Sequence, residues 1–438
     1  MIKSISESQD GGVSLEIQQD YGFYTAFGPE YPATNLQDSK EDGVCLHEMP
    51  WLLGSGSELQ HSGAYIFRPK TPDESLQIIQ PNASSGSVLI YESDLVTEVH
   101  AEFGEPSWIK QITRIISGKN YVEVEYVVGP VPINDLVGKD VVSRYSTSSI
   151  VNGGKFFSDS NGREFMMRKR GDHNVFGFDG DVDIEPVASN FYPVNAAIFV
   201  EDEAHSLSVL VDRSQGGSSL SDGSVELMIQ RRGLYDDARG VGEPLDETDG
   251  GITPCRPYGF STRLGKGVVV KGTHRLMIGK GKSGASQSRT QMDQVFSQPH
   301  VFVGSAGKGE HIPFNQANLS VLKSALPNNV MVITLAALDE DNSFLIRLGH
   351  QFDKGESEHL SSPVQVDLSD LFPGRNIVST TEKTLSGNQN VVDWEQTRLD
   401  WSATAQKDLV GNAESVQDGS NVITLKPLEI RTFVINVL

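Results

Sequence analysis

The length and spacing of the apolar runs constrain this chain more than any other feature. Residues 121–128 read YVEVEYVV, apolar and charged side chains in alternation, the pattern of a strand with one face on a core and the other toward water. Similar strand-length runs occur at 64–67, 87–91, 109–116, 195–200, 330–338, 343–348 and 364–368, with a final pair at 421–425 and 429–437. Val13, Leu15 and Ile17 alternate in the same way before a loop-rich stretch over 21–46. No segment sustains the 3.6-residue period of a long amphipathic helix. Short strands at close spacing predict an all-β chain in which sheets pack face to face and each strand gives alternate residues to a shared core.

Residues 208–245 form the centre of the pattern. Val209 and Val211, then Val225, Leu227 and Ile229, predict two strands joined by a glycine-rich connection containing Gly216-Gly217 and Asp222-Gly223, pairs that tolerate the positive φ of a tight turn or bulge. The second strand then runs into Arg231, Arg232, Asp236, Asp237 and Arg239. Upstream, KFFSDSNGREF at 155–165 predicts a hairpin about Asn161-Gly162, a pair suited to a type I′ turn. The Gly/Ser/Lys-rich stretch GKGKSGASQ at 279–287 opens a predicted linker over 279–300. It separates a large β unit, 1–278, from a smaller one, 301–438. At 438 residues the chain is long enough for two such cores.

With 36 Lys+Arg against 58 Asp+Glu, the net charge of −22 argues against nucleic acid or an anionic membrane surface as a partner. No run reaches the ~18 consecutive apolar residues of a membrane-spanning helix; the longest, 330–338 (VMVITLAAL), has the length of a buried strand. The polar N-terminus, MIKSISESQDGG, has no signal-peptide core. Cys45 and Cys255 are the two cysteines; whether they pair, and in which redox compartment, is open at this level.

Several sequence blocks carry a resemblance. SGAYIFRP at 62–69, VGPVP at 128–132, DSNGRE at 159–164, EPVASNFYPVN at 185–195, DRSQGGSSL at 212–220, the Asp236-Asp237-x-Arg239-Gly240 segment and PLEIRTF at 427–433 occur in one order. The chain resembles glycoside hydrolase family 38, the class II α-mannosidases, in the region that follows their catalytic barrel, and its spelling is closer to the lysosomal and vacuolar branch. The resemblance implies a galactose-mutarotase-like β-supersandwich followed by a smaller C-terminal β-sandwich. It implies a part of a retaining, zinc-dependent enzyme acting on terminal α-mannosides of N-glycans. The zinc, its ligands, the nucleophile and the acid/base carboxylate belong to the barrel, so this chain alone is expected to be inactive and to bind no cofactor. Its implied partners are that N-terminal barrel and mannose-containing glycans, and the implied location of the complete enzyme is the lysosome, the vacuole or outside the cell. Together with the missing signal peptide, this predicts a C-terminal fragment, a processed subunit or a truncated gene product.

The resemblance also implies two sugar-contacting residues, Tyr65 of the SGAY block and Arg239 of the Asp-Asp-x-Arg-Gly block, with Arg231 and Arg232 standing nearby as alternative arginines. A phenol and a guanidinium offer fixed donors to sugar hydroxyls. Against this, Tyr65 also suits a half-buried strand and Arg239 an ion pair. Asp236 and Asp237 resemble the carboxylate pair of a retaining glycosidase, which needs roughly 5–5.5 Å between them. Neighbours on a strand face opposite sides, however, so ion pairing with Arg231, Arg232 or Arg239 is the favoured expectation. Among the ten histidines no HxH or HExxH spacing occurs, and no metal site is predicted. Asp179, Asp181 and Asp183 copy the start of an EF-hand loop, but Ile184 stands at its glycine position and Asn190 at its final glutamate position. Gly279-x-Gly281-x-x-Gly284 spells a dinucleotide fingerprint without a βαβ unit, and Asn82-Ala-Ser84 and Asn318-Leu-Ser320 are sequons. The competing class is a catalytically silent carbohydrate-binding or structural β-sandwich protein; a mutarotase-like epimerase would need a His/Glu constellation that the sequence does not display.

Overall fold

The computed structural model describes residues 5–6, 13–28, 60–83, 88–135, 137–159, 161–171, 185–241, 243–250, 252–255, 260–263, 265–303, 322–339, 342–372, 374–397 and 421–438; at 5–6, 252–255 and 260–263 it describes backbone alone. The chain divides into two units, Met1–Phe296 and Ser297–Leu438. Both are built from antiparallel sheets, so the all-β expectation holds. Cys45, Asp179, Asp181, Asp183, Asn318 and the side chain of Cys255 lie outside the described residues.

In the first unit a nine-stranded sheet runs, in spatial order, through Phe165–Lys169, Lys155–Asp159, Ala197–Glu201, His205–Val211, Val270–Lys280, Val122–Val128, Ile109–Ile116, Val96–Phe103 and Leu89–Glu92. A six-stranded sheet runs through Tyr192–Val194, Gln215–Ser218, Ser224–Arg232, Lys139–Ser146, Gln18–Thr25 and Gln77–Ile78. Val122, Val124, Leu207, Val209, Val211 and Leu276 of the first sheet pack with Tyr145, Val225 and Leu227 of the second, and Val13, Leu15 and Ile17 join them. Each such side chain contributes about 1.5–3 kcal/mol when fully buried. The alternation of 121–128 therefore has the predicted cause: Val122, Val124, Tyr126 and Val128 are buried, and the residues between them are half-buried.

Several local expectations change. The strand Gln18–Thr25 occupies the start of the stretch expected to be loop-rich. The two central strands form no hairpin, because His205–Val211 belongs to one sheet and Ser224–Arg232 to the other. Gly216 and Gly217 lie within the intervening strand Gln215–Ser218, where a Cβ at 217 would come within 2.6 Å of Val194 Cγ2. Gly223 does take a positive φ, +69°, facing the Thr147 carbonyl. The hairpin at 155–169 exists, but Asp159 pairs with Phe165, so its connection is longer than a two-residue turn. The Asp159 carboxylate accepts the Gly162 amide at 2.7 Å and, through Oδ1, those of Asn195, Ala196 and Ala197 at 2.9, 2.7 and 3.0 Å. It thereby holds the DSNGRE block against the end of the EPVASNFYPVN block.

The stretch expected as a linker contains the end of the strand Val270–Lys280 and a helix, Gly284–Phe296. Met292 and Val295 of the helix pack with Ala196 and with Ala197, Leu210 and Met277 of the nine-stranded sheet. Gly284 permits the approach, since a Cβ there would fall 2.3 Å from the Phe199 ring. Its amide donates to Glu201 Oε2 at 3.0 Å, so a side chain of this chain occupies the turn that spelled a dinucleotide fingerprint. That helix, like every helix among the described residues, is too short and polar to cross a membrane.

The second unit has a four-stranded sheet, Val330–Ala337, Ser343–His350, Ile430–Val437 and Ile377–Lys383, and a two-stranded sheet, Val364–Asp367 with Val422–Leu425. Ile346, Leu348, Phe433 and Ile435 share a core with Val366, Leu368, Ile423 and Leu425. The predicted final pair is not a pair: its two strands lie in different sheets. The run expected as a buried strand, 330–338, is an edge strand with Val332, Ile333 and Leu335 exposed.

Candidate functional site

Two loops of the first unit meet beyond the end of the strand Ser224–Arg232. One carries the SGAY block, the other Leu234–Gly240. Their junction is Asp237, which is 1% exposed. Its Oδ2 accepts the backbone amides of Tyr65 at 2.5 Å and Ile66 at 3.0 Å, while Oδ1 accepts the amide of Arg239 at 3.1 Å. One carboxylate thus fixes the backbone of both residues that the family resemblance selected. Gly63 is required for the approach, because a Cβ there would come within 2.7 Å of the Asp237 backbone nitrogen.

Gln60 closes the junction from the other side. Its Nε2 donates to the Asp237 carbonyl at 2.5 Å, and its Oε1 accepts from Nη2 of Arg239. Tyr65 itself is 66% exposed, and Arg239 is exposed as well. The half-buried strand setting expected as the alternative for Tyr65 is therefore absent: it sits in a loop with its ring toward solvent. Both side chains have the accessibility needed to reach a ligand, on backbone that is held in place.

The other arginines are engaged elsewhere. Arg231 lies across the strand from Asp140 and donates to its carboxylate through Nε at 2.5 Å. Through Nη2 it also donates to Ser62 Oγ at 3.1 Å and the Ile66 carbonyl at 2.9 Å. Asp140 is 2% exposed; burial raises its carboxyl above the usual range, against the lowering pull of Arg231. The pair forms the floor on which the Tyr65 loop rests. Arg232 donates from Nη1 to the Val131 carbonyl at 2.7 Å, and burial lowers its pKa.

The aspartate pair is thereby reassigned. Among the described residues neither Asp236 nor Asp237 forms an ion pair with Arg231, Arg232 or Arg239, contrary to the expectation. The backbone does turn here, with Ala238 at φ +56°, and Asp236 Oδ2 accepts the Ala238 amide at 3.0 Å. Asp237 is committed to three amides and is poorly placed to act as a nucleophile or acid. Among the described residues no group of three or more His, Cys, Asp or Glu side chains is arranged to hold a metal.

Sequence reasoning missed Asp140, Gln60 and a buried relay between the sheets. Tyr145 Oη lies 2.9 Å from His274 Nδ1, His274 Nε2 lies 2.9 Å from Gln215 Oε1, and Gln215 Nε2 donates to Tyr126 Oη at 2.8 Å. Burial drives the His274 pKa down to about 3, so the ring is neutral at ordinary pH. Donation from Nε2–H to the Gln215 oxygen and acceptance of the Tyr145 hydroxyl by Nδ1 is then the consistent arrangement. The one sequence signal was a histidine at an inward position of an alternating strand.

Comparison with known proteins agrees with the resemblance. The model of the glycosyl hydrolases family 38 C-terminal domain matches residues 40–239, a span that takes in Tyr65, Asp237 and Arg239. The model of the family 38 C-terminal beta sandwich domain matches 329–433 in the second unit. An alpha-mannosidase of Arabidopsis thaliana is 38% identical over 387 residues, 87% of this chain and 36% of that protein. A lysosomal alpha-mannosidase of Cavia porcellus is 38% identical over 392 residues, 88% of this chain and 36% of that protein. The crystal structure of an alpha-mannosidase from Enterococcus faecalis V583 shares the fold, with a TM-score of 0.50 and 11% identity over 84% of this chain and 37% of that one. The chain thus spans little more than a third of the length of these curated relatives. With both units matched by models of one family, over more than half the chain, and with the β architecture in common, the chain belongs to glycosyl hydrolase family 38 and carries its C-terminal β region.

Proposed function

We propose that this chain is the C-terminal, non-barrel part of an α-mannosidase that hydrolyses terminal α-mannosides of N-glycans. In this reading the complete enzyme is retaining and zinc-dependent and works in the lysosome, in the vacuole or after secretion. The catalytic barrel, in the same precursor or as a separate chain, supplies the zinc ligands, nucleophile and acid/base group. Tyr65 and Arg239 add hydroxyl-directed donors at the rim of the mannose pocket. The observation that carries the reading is the Asp237 junction, which fixes the backbone of an exposed phenol and an exposed guanidinium together. Donors held before substrate arrives stabilise a transition state without being reorganised for each turnover.

The test is activity on an aryl α-mannoside. The purified chain alone should be silent, because no group of metal-ligating side chains is present among its described residues and Asp237 is already occupied. Co-expression with a family 38 catalytic region should give hydrolysis that the catalytic region alone lacks. Zinc-stimulated turnover by the 438-residue chain by itself would overturn the proposal.

A further inference from the structure

A second concavity, of about 500 Å³, lies along the last residues of the strand Ser224–Arg232. Its volume lies within the range of small-molecule sites. The strand extends beyond its short neighbour Gln215–Ser218, whose pairing stops at Gly217 and Leu227, so the residues that follow line a cleft. Arg231 turns toward Asp140 and the Tyr65 loop. Gln230 and Arg232 make different contacts: Gln230 Nε2 donates to the Val268 carbonyl at 3.3 Å, and Arg232 donates to Val131.

The lining has a definite chemistry. Gln215 and Gln230 contribute carboxamides, Arg232 a guanidinium and Glu247 a carboxylate, while Ile229 and Val268 add apolar surface. Arg231 also lines the cleft, and Asp140 matches its charge; Arg232 and Glu247 then leave the lining without net charge, which favours a neutral ligand. Carboxamides, guanidinium and carboxylate alternate donors with acceptors, as hydroxyl groups do, and the aliphatic side chains suit C–H faces. The buried Nε of Arg232 has no hydrogen-bond partner among the described residues. The site is also braced from behind. The Tyr145, His274 and Tyr126 relay fixes the Gln215 carboxamide, and the Gln230 oxygen accepts the Arg231 amide at 3.2 Å. Polar groups held by further hydrogen bonds are what a preorganised binding site requires.

We infer that this cleft is a binding site for a neutral saccharide of one or two rings, separate from the Tyr65 and Arg239 site and independent of any catalytic partner. The experiment uses the full 438-residue chain, saturation-transfer NMR and calorimetry, with mannose, α-mannobiose, glucose and galactose as neutral probes and citrate as an anionic one. Gln230→Ala and Glu247→Ala alter the lining at positions away from the buried relay. The expected result is saturable binding of at least one neutral sugar, weakened about tenfold or more in each variant, with thermal unfolding unchanged and Tyr65→Phe without effect. Three results would overturn the inference: no saturable binding of any neutral sugar, binding of citrate alone, or sugar binding lost in Tyr65→Phe and Arg239→Lys but retained in the cleft variants.

Discussion

The carboxylate of Asp237 accepts the backbone amide of Tyr65 at 2.5 Å, across 172 positions of sequence. With the Ile66 and Arg239 amides on the same side chain, it converts two surface loops into one unit. Asp237→Ala leaves three amide donors without their acceptor. The expected loss is about 3 kcal/mol, since hydrogen bonds to charged groups are worth roughly 1.5–3 kcal/mol and the freed loops recover part by hydration. Urea unfolding of the first unit measures it; a loss below about 1 kcal/mol would mean that the junction is incidental.

Gly63 tests the same junction by shape. A methyl group there would fall 2.7 Å from the Asp237 nitrogen and 2.8 Å from its Cβ, atoms that cannot move aside alone. Gly63→Ala should destabilise by about 1–3 kcal/mol, the usual cost of overpacking. An unchanged melting temperature would contradict the described approach of the two loops.

The buried relay predicts a pH dependence. His274 titrates near 6.5 when unfolded but near 3 when folded, because burial disfavours its charged form. Between these values the unfolded state binds the extra proton, so this contribution to stability is complete above about pH 6.5 and is lost as pH falls toward 3. From pH 6.5 to 5 the loss is about 2 kcal/mol at roughly 1.4 kcal/mol per unit. His274→Gln, which does not titrate, should remove that slope. A wild-type and variant difference that stays constant from pH 7 to 5 would contradict a buried neutral ring.

Arg231 and Asp140 form a nearly buried pair beneath the Tyr65 loop. Removing one partner from such a pair costs about 3–5 kcal/mol, because the other charge is left uncompensated. Arg231→Met should therefore be severe, and Arg231→Met with Asp140→Leu should recover much of the loss. Equal damage from the single and the double change, compared by denaturant titration, would argue that the pair acts only through the Ser62 and Ile66 contacts.

The β class was legible because alternation in a strand directly records which face is buried, as at Val122, Val124 and Tyr126. Sheet membership was not: the strands at 205–211 and 224–232 adjoin in sequence but belong to different sheets, and local pattern is the same in either case. The helix Gly284–Phe296 was hidden by its composition, since it buries few apolar side chains and starts in Gly and Ser. At the site, Tyr65 and Arg239 were found through the resemblance alone. Asp237 was noticed for its charge and expected in an ion pair. Its partners are backbone amides, which have no signature in the side-chain sequence.

The proposed sugar contacts of Tyr65 and Arg239 rest on backbone fixed by Asp237. They are tested by kcat/KM and melting temperature of Tyr65→Phe and Arg239→Lys in this chain joined to a family 38 catalytic region. A lost neutral hydrogen bond predicts about a threefold to tenfold fall in kcat/KM for the tyrosine, and a charge-assisted one up to about a hundredfold for the arginine. The expected result is those falls with melting temperatures near that of the parent. Lowered melting temperatures with unchanged kcat/KM would contradict it.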